Sequence, residues 1–219
     1  MVLIEALQWL ADPANWSGPT GVWARLIEHV GLTAAAVGIA CAVALPLALW
    51  LGHIDRGRVL VVNVANAGRA VPTYALLVLL ALGPLGLGAA ATVTALVFFA
   101  IPPILTSAHT GVREVDPDVV EAARGMGMAG PSVLRWVELP LAAPHVLSGV
   151  RLATVQVVAT ATIAALVAGG GLGRIITAGF GRQDPAQLIA GALLVAGLAL
   201  AVEGGFGLVA KRLRSPASR

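Results

Sequence analysis

The chain contains few of the cysteine, lysine and histidine residues on which many enzymes and metalloproteins depend. It has one cysteine, Cys41, and one lysine, Lys211. One cysteine allows neither an internal disulfide nor a cysteine metal site, and the four histidines are scattered without ligand spacing. A phosphate-binding P-loop needs a lysine after its glycines, whereas Lys211 follows Val209-Ala210. We therefore expect no metal site, no bound cofactor and no ATP hydrolysis by this route.

Charged residues are also scarce, at 11% of the chain, while hydrophobic residues make up 58%. A water-soluble globule of this composition would lack the polar surface to cover itself. The sequence therefore predicts an integral membrane protein. Five apolar stretches are long enough to cross a hydrocarbon layer of about 30 Å. They run over approximately Val30–Leu51, Val59–Leu82, Ala89–Ala108, Pro144–Ala168 and Leu188–Ala210. We expect an all-α fold with about five transmembrane helices.

The basic residues predict how the chain is oriented in the membrane. If the N-terminus is outside, nine basic residues lie in inner segments and three in outer segments. The outer three are Arg25, Arg174 and Arg182, and the inner nine are Arg56, Arg58, Arg113, Arg124, Arg135, Lys211, Arg212, Arg214 and Arg219. Because Lys and Arg accumulate in cytoplasmic loops, we expect a multi-pass plasma-membrane protein with a cytoplasmic C-terminus. This bias explains the basic net charge without nucleic-acid binding.

The residues before and after the apolar region form two further predicted segments. In residues 1–28, Trp9, Trp16 and Trp23 indicate an amphipathic segment at the outer interface, since indole rings prefer the headgroup zone. A poorly ordered leader is the alternative interpretation of this segment. The transmembrane domain is then predicted to span residues 29–210, followed by a basic cytoplasmic tail over residues 211–219.

The longest charged interruption, at about residues 111–140, is predicted to form two short helices joined by a glycine turn. Asp116 can cap a helix that Pro117 opens, and Gly125 or Gly127 can end it. A second helix is predicted to begin at residue 130 and to stop at Pro140. Two helices meeting at an angle would form a knob on the cytoplasmic side.

This segment carries a spaced pattern that resembles the EAA loop of bacterial ATP-binding-cassette (ABC) import permeases. Glu121-Ala122-Ala123 is followed by Gly127, four positions after the second alanine, and later by Leu139-Pro140. Val137 stands where isoleucine is commoner. Three blocks elsewhere resemble the osmoprotectant permeases of the glycine betaine, carnitine and choline import type, and the likeness extends over about residues 29–203. These blocks are residues 70–77, 110–117 and 159–173.

The resemblance implies the transmembrane-domain fold of a type I ABC importer in a bacterial plasma membrane. It implies a cytoplasmic ABC ATPase dimer that binds ATP and Mg, an extracellular or lipid-anchored substrate-binding protein, and a second permease copy or a paralogue. In such families the EAA loop seats in a groove of the ATPase, so that ATP-driven closure rocks the membrane helices. The residues expected at that contact are Glu121, Ala122, Ala123, Gly125, Gly127, Leu139 and Pro140.

Polar side chains inside the second and fourth spans mark candidate walls of a translocation path, because such groups are costly in lipid unless they face protein or water. Pro72, in the second span, removes a backbone donor and should bend the helix. The candidate residues are Asn66, Arg69, Pro72, Thr73, Tyr74, Thr160 and Thr162. The alternatives are hydrogen bonding between helices for the threonines and asparagines and snorkelling of the Arg69 side chain to the interface.

The glycine-rich run Gly169–Gly173 is predicted to turn an outer loop sharply back against the membrane. A dinucleotide-binding loop is disfavoured, because Arg174 occupies the place of the last glycine and no strand precedes the run.

The expected cargo is a small zwitterionic or quaternary ammonium osmoprotectant, with another betaine or an amino-acid-like solute as the alternative. One tyrosine and four phenylalanines leave little material for an aromatic cage, so we expect specificity to be set by the binding protein.

Two other classes of membrane protein are disfavoured. An ATP-independent carrier usually shows internal repeats and membrane-embedded acids. This sequence shows no repeat, and Glu203 is the one acid placed within a span. A membrane hydrolase would need a nucleophile paired with a base. Ser107 and His109 are two positions apart, and residues at that spacing do not face each other on a helix.

Overall fold

The computed structural model describes residues 1–213, except for the side chains of Arg69 and Leu213. Residues 214–219 of the predicted basic tail, and the side chain of Arg69 as a candidate for the path, lie outside the described residues. The described part consists of helices joined by turns and loops, with no strand. Its α-helices are α1 (Val2–Ala11), α2 (Val22–His53), α3 (Arg58–Ala70), α4 (Thr73–Leu82), α5 (Ala89–Arg113), α6 (Pro117–Gly125), α7 (Gly130–Val133), α8 (Leu139–Thr160), α9 (Gly173–Arg182) and α10 (Pro185–Leu213).

Four helical segments of the described chain are long and apolar enough to cross a membrane by themselves. They are α2, α5, the continuous segment Gly130–Val167 and α10. A fifth span is divided between α3 and α4, whose axes differ by 80°. Val71 and Pro72 have extended backbones at the break, because the proline ring disfavours a helical conformation in the residue before it. The predicted bend at Pro72 is therefore confirmed, and it is a break between two helices.

Helix α5 lies at the centre of the fold and packs against α2, α3, α4 and α8. On α2, four alanines spaced four residues apart are fully buried along this contact: Ala36, Ala40, Ala44 and Ala48. Small side chains let membrane helices approach closely, and packing replaces the hydrophobic effect as the source of stability in lipid. The contact between α2 and α5 therefore forms the core of the bundle, on which α3, α4 and α8 also pack.

The fourth span differs from its prediction at the cytoplasmic end, because Pro140 does not stop the helix. Residues Leu134–Glu138 form a π-helical turn that joins α7 to α8 without interruption, and the backbone N–H of Leu139 donates to the carbonyl of Leu134. Proline lacks an N–H and displaces the carbonyl four residues earlier, and a π turn is a known way to relieve such a mismatch. The expected helix end at Pro140 is wrong, and one helix joins the loop to the membrane.

The N-terminal residues form an ordered helix, α1, which packs against α10. Side chains in the connection to α2 bond back to it: the indole N–H of Trp16 donates to the carbonyl of Leu10 at 2.7 Å, and the amide of Asn15 donates to Trp9 at 2.8 Å. The assignment of residues 1–28 to an amphipathic segment at the outer interface stays a prediction.

Candidate functional site

Helix α6, which carries the Glu-Ala-Ala residues, is closed at both ends by its own sequence. At its start, Asp116 Oδ1 accepts from the backbone N–H of Asp118 at 2.9 Å. At its end, Gly127 has φ +86 and donates to Arg124 O at 2.9 Å, and the N–H of Met128 donates to Ala123 O at 3.2 Å. These two bonds are those of a Schellman motif. Of the two predicted glycines, Gly127 thus supplies the left-handed residue.

We call residues 116–138 the knob. Most of the predicted coupling residues are exposed on or beside it: Glu121, Ala122, Gly125, Gly127 and Pro140. Ala123 is only 3% exposed and turns inward, and Leu139 is half-buried. Two large apolar side chains stand out into solvent, Met126 at 78% and Trp136 at 66% exposure. Met and aromatic residues are enriched where proteins meet, so this surface has the chemistry of a protein contact.

A buried polar pair fastens the knob to the end of the first span. Glu138, in the π turn, is 4% exposed, and its Oε2 lies 2.6 Å from Nδ1 of His53 at the end of α2. Glu114 and His145 form a second carboxylate–imidazole pair at 3.0 Å, and this one is exposed. The knob and α2 are therefore joined by a contact in the interior.

The turn between α2 and α3 is also held to the end of α5. Arg113 forms an ion pair with Asp55, and Nε2 of the buried His109 lies 3.2 Å from the carbonyl of Arg56. His53, His109 and His145 thus each bond to a residue of another element or connection. Among residues 1–213, no group of His, Cys, Asp or Glu has the arrangement of a metal site.

A cavity of about 490 Å³ lies where the break between α3 and α4 faces α5 and α8. Its polar lining comes from Thr73, Thr106, Ser107 and Gln156. The Oγ1 atom of Thr106 is buried and has no hydrogen-bond partner in the described part of the chain. Nearly all buried polar groups are satisfied in native proteins, so this enclosed, unpaired hydroxyl beside the cavity wall is an exception.

The predicted path residues occupy different places relative to this cavity. Pro72 and Thr73 line it, opposite Gln156 of the fourth span. Asn66 and Tyr74 are exposed on α3 and α4 and do not line it. Thr160 and Thr162 also lie outside its lining, and Thr162 Oγ1 donates to the carbonyl of Ala159 at 2.8 Å. The role of each of these side chains in a path stays a prediction.

Sequence reasoning missed the contribution of α5 to the cavity. Pro102, Pro103, Thr106 and Ser107 line it from the centre of the fold. Two adjacent prolines inside an apolar span, followed by two hydroxyl residues, were the available signal. Ser107, whose spacing from His109 argues against a nucleophile, is instead part of the cavity wall.

Two charges that the sequence places inside spans neutralise each other. Arg151 of α8 donates from Nε to Oε2 of Glu203 on α10 at 2.8 Å, and its Nη2 also bonds to the same carboxylate. A planar guanidinium matches a carboxylate through two parallel bonds. This pairing offsets the cost of placing each charge at membrane depth, and it joins α8 to α10.

The glycine run forms the predicted sharp turn at the opposite end of the molecule from the knob. Gly170 and Gly171 have φ values of +87 and +77. The N–H of Gly171 donates to Glu28 Oε2 at 2.9 Å, and that of Leu172 donates to Nδ1 of His29 at 3.2 Å. Since His29 Nδ1 accepts, its Nε2 is the atom that donates to the carbonyl of Val158, at 2.9 Å. The loop is therefore bonded to the start of the first span.

Comparison with known proteins gives consistent matches across most of the chain. The family described as "binding-protein-dependent transport system inner membrane component" matches residues 34–215. The choline transport system permease protein OpuBB of Bacillus subtilis is 34% identical over 193 residues, which cover 88% of this chain and 88% of that protein. The glycine betaine/carnitine/choline transport system permease protein OpuCB of the same organism is 34% identical over 176 residues, covering 80% of this chain and 81% of that protein.

Among solved structures, the fold is similar to a chain of the MetNI methionine ABC transporter in an inward facing conformation. The TM-score is 0.76 at 20% sequence identity, and the match covers 88% of this chain and 95% of that chain. At this level of identity the likeness supports the fold and carries no information about the solute.

Proposed function

The chain belongs to the family of binding-protein-dependent transport system inner membrane components, and on that premise we propose that it is the permease subunit of an ATP-driven importer whose knob docks on a separate ATPase. Its fold is that of the transmembrane domain of a type I ABC importer. The single observation that carries the coupling proposal is the knob itself, where Glu121, Gly127 and the exposed Met126 and Trp136 form one capped, protruding surface. ATP and Mg would be bound by that partner ATPase.

The proposed cargo is a small zwitterionic or quaternary ammonium osmoprotectant. The proposal rests on two relatives of this chain, which are named as permeases for choline and for glycine betaine, carnitine and choline. The described residues that line the cavity of about 490 Å³ include no acid and a single aromatic residue, Phe99, so a cation would not be held tightly there by an aromatic cage. This suits a passage site that admits a solute selected elsewhere, by an extracellular binding protein. Another betaine or an amino-acid-like solute is the second candidate.

The proposed assembly places two permeases side by side above an ATPase dimer, with the N-terminus outside and the C-terminus in the cytoplasm. The nine-to-three asymmetry of basic residues supports this orientation. The knob would then face the ATPase, and the glycine loop would face the binding protein.

The cargo proposal is tested by uptake into proteoliposomes that contain the chain, its ATPase and its binding protein. Labelled choline, glycine betaine and carnitine would be compared with methionine at equal concentration. We expect uptake of at least one quaternary ammonium compound and none of methionine. Uptake of methionine alone would contradict the proposed cargo and leave the coupling proposal standing.

A further inference from the structure

The three basic residues of the predicted outer segments line the same cavity. Arg25 of α2 and Arg174 and Arg182 of α9 border a space of about 420 Å³ beside the connection between α1 and α2. Hydroxyl side chains of Ser17 and Thr20 lie in the same wall. None of the described residues that line this cavity is acidic. Arginines from two helices that are more than a hundred positions apart in the chain thus line one concave polar site.

The charges around this cavity do not balance. Arg25 Nη1 bonds both carboxylate oxygens of Glu28, at 3.0 and 2.8 Å. The same carboxylate also accepts a hydrogen bond from the backbone N–H of Gly171 in the glycine loop. Glu28 is therefore already bonded to Arg25 and to the loop. Arg174 and Arg182 are exposed and form no salt bridge with any residue of the described chain. Two positive charges therefore remain available, and arginine is the side chain best suited to phosphate because its planar fork binds two oxygens.

The helices that contribute to the cavity also expose apolar side chains outside its lining. Helix α1 exposes Leu3, Ile4 and Leu7, and α9 exposes Phe180 at 77%. The Trp16 and Trp23 rings lie next to each other beside the connection, tilted by 56° with centroids 5.2 Å apart, and indoles favour the headgroup zone. A lipid whose headgroup binds in this cavity could place its acyl chains against these apolar side chains of α1 and α9. A free phosphate ion would use the arginines but none of these apolar side chains.

We propose that this cavity binds the phosphate headgroup of an anionic phospholipid, held by Arg174 and Arg182 beside the Arg25–Glu28 pair. The acyl chains would lie against α1 and the exposed face of α9. With the orientation proposed above, the lipid belongs to the outer leaflet. The site requires neither the ATPase nor transport, so it stands or fails independently of the proposed function.

The test is a lipid titration of the purified full chain in detergent, read by native mass spectrometry. Phosphatidylglycerol is compared with phosphatidylcholine of the same chain length and with inorganic phosphate. The test variant is the double change R174Q and R182Q. Its control is R124Q and R135Q, which removes two exposed arginines from the knob at the other end. Arg182→Gln alone, at the exposed end of α9, serves if the double variant does not fold.

We expect phosphatidylglycerol to bind the parental chain and the control alike, and to bind the R174Q/R182Q variant on the order of tenfold or more weakly. Phosphatidylcholine should bind weakly to all three. Equal binding of phosphatidylglycerol to the test variant and the parent would overturn the proposal. So would inorganic phosphate that binds as tightly as the lipid, which would assign the cavity to a free anion. Loss of association with the binding protein, without any change in lipid binding, would assign the arginines to a protein partner instead.

Discussion

His53, the last residue of α2, and Glu138, in the π turn after α7, form a buried hydrogen bond of 2.6 Å between residues 85 positions apart in the chain. Glu138 lies on the one continuous helical segment that runs from the knob into the membrane. The pair therefore joins the knob to two spans at once. A displacement of the knob by a partner would be passed to the first span through this contact as well as along α8.

Removal of the Glu138 carboxylate is expected to destabilise the cytoplasmic end of the molecule. In Glu138→Ala the imidazole of His53 loses its partner while it remains buried. Leaving such a group unsatisfied costs about 1–3 kcal/mol. Thermal unfolding in detergent, followed by circular dichroism, should show a lower Tm than the parent.

Glu114→Ala is the matched control for this change, because Glu114 forms the same kind of pair with His145 on the exposed surface. Exposed pairs contribute about 0–1 kcal/mol, so this variant should unfold close to the parental temperature. Equal loss of Tm in the two variants would show that burial of the His53 pair has no special importance.

Gly127→Val is expected to weaken association with the ATPase while it leaves membrane insertion intact. Gly127 has φ +86, a conformation that costs a branched side chain about 1 kcal/mol or more. The Schellman turn would open and the knob would lose its shape. Co-purification of the ATPase with the tagged permease measures the effect.

Gly31→Ala provides the comparison, because a Cβ at Gly31 meets no atom within 4 Å, its backbone is not left-handed, and it lies in α2 outside the knob. Its ATPase yield should match that of the parent. A normal amount of ATPase recovered with Gly127→Val would contradict the proposed role of the turn.

The features predicted correctly from sequence are those determined by neighbouring residues. The Asp116 cap, the left-handed Gly127 and the break before Thr73 each depend on a few adjacent side chains. Contacts across the bundle could not be predicted in this way. His29 bonds a carbonyl 129 positions away, and Arg151 meets Glu203 only because α8 and α10 pack together.

The end of the second knob helix was predicted wrongly for a different reason. Pro140 usually stops a helix, but the π turn before it widens the backbone and lets the helix continue. No residue pattern in the sequence predicts that π turn. The same holds for the cavity, whose wall on α5 depends on where the break between α3 and α4 lies in space.

Thr106→Val tests whether the cavity of about 490 Å³ lies on the transport path. The valine matches the shape of threonine and removes a buried hydroxyl that has no partner in the described chain. Stability should therefore be kept or raised by about 1 kcal/mol. We expect the uptake rate to fall, because an unpaired polar group is lost from a residue in the wall of the cavity.

Thr33→Val is the matched control, since Thr33 also carries a buried hydroxyl without a partner among residues 1–213 but lies outside this cavity. It should show the same gain in stability with uptake unchanged. Parental uptake by Thr106→Val would remove α5 from the proposed path.

The orientation is tested by labelling single cysteines from one side of the membrane. In a Cys41→Ala background, a cysteine at Ser132 in the knob should react only from the cytoplasmic side. A cysteine at Gly181, at the end of α9, should react only from outside. The nine-to-three asymmetry of basic residues is the physical reason. Reaction of both positions from the same face would refute the proposed topology.

The most direct measurement of the central claim is the uptake of labelled choline or glycine betaine, recorded together with ATP hydrolysis in one set of proteoliposomes. The proposed coupling predicts that solute enters only when the ATPase, the binding protein and ATP are all present, and that Gly127→Val lowers uptake by weakening the ATPase contact. Solute entry into vesicles that contain this chain alone, at the rate seen with ATP and the ATPase, would contradict it.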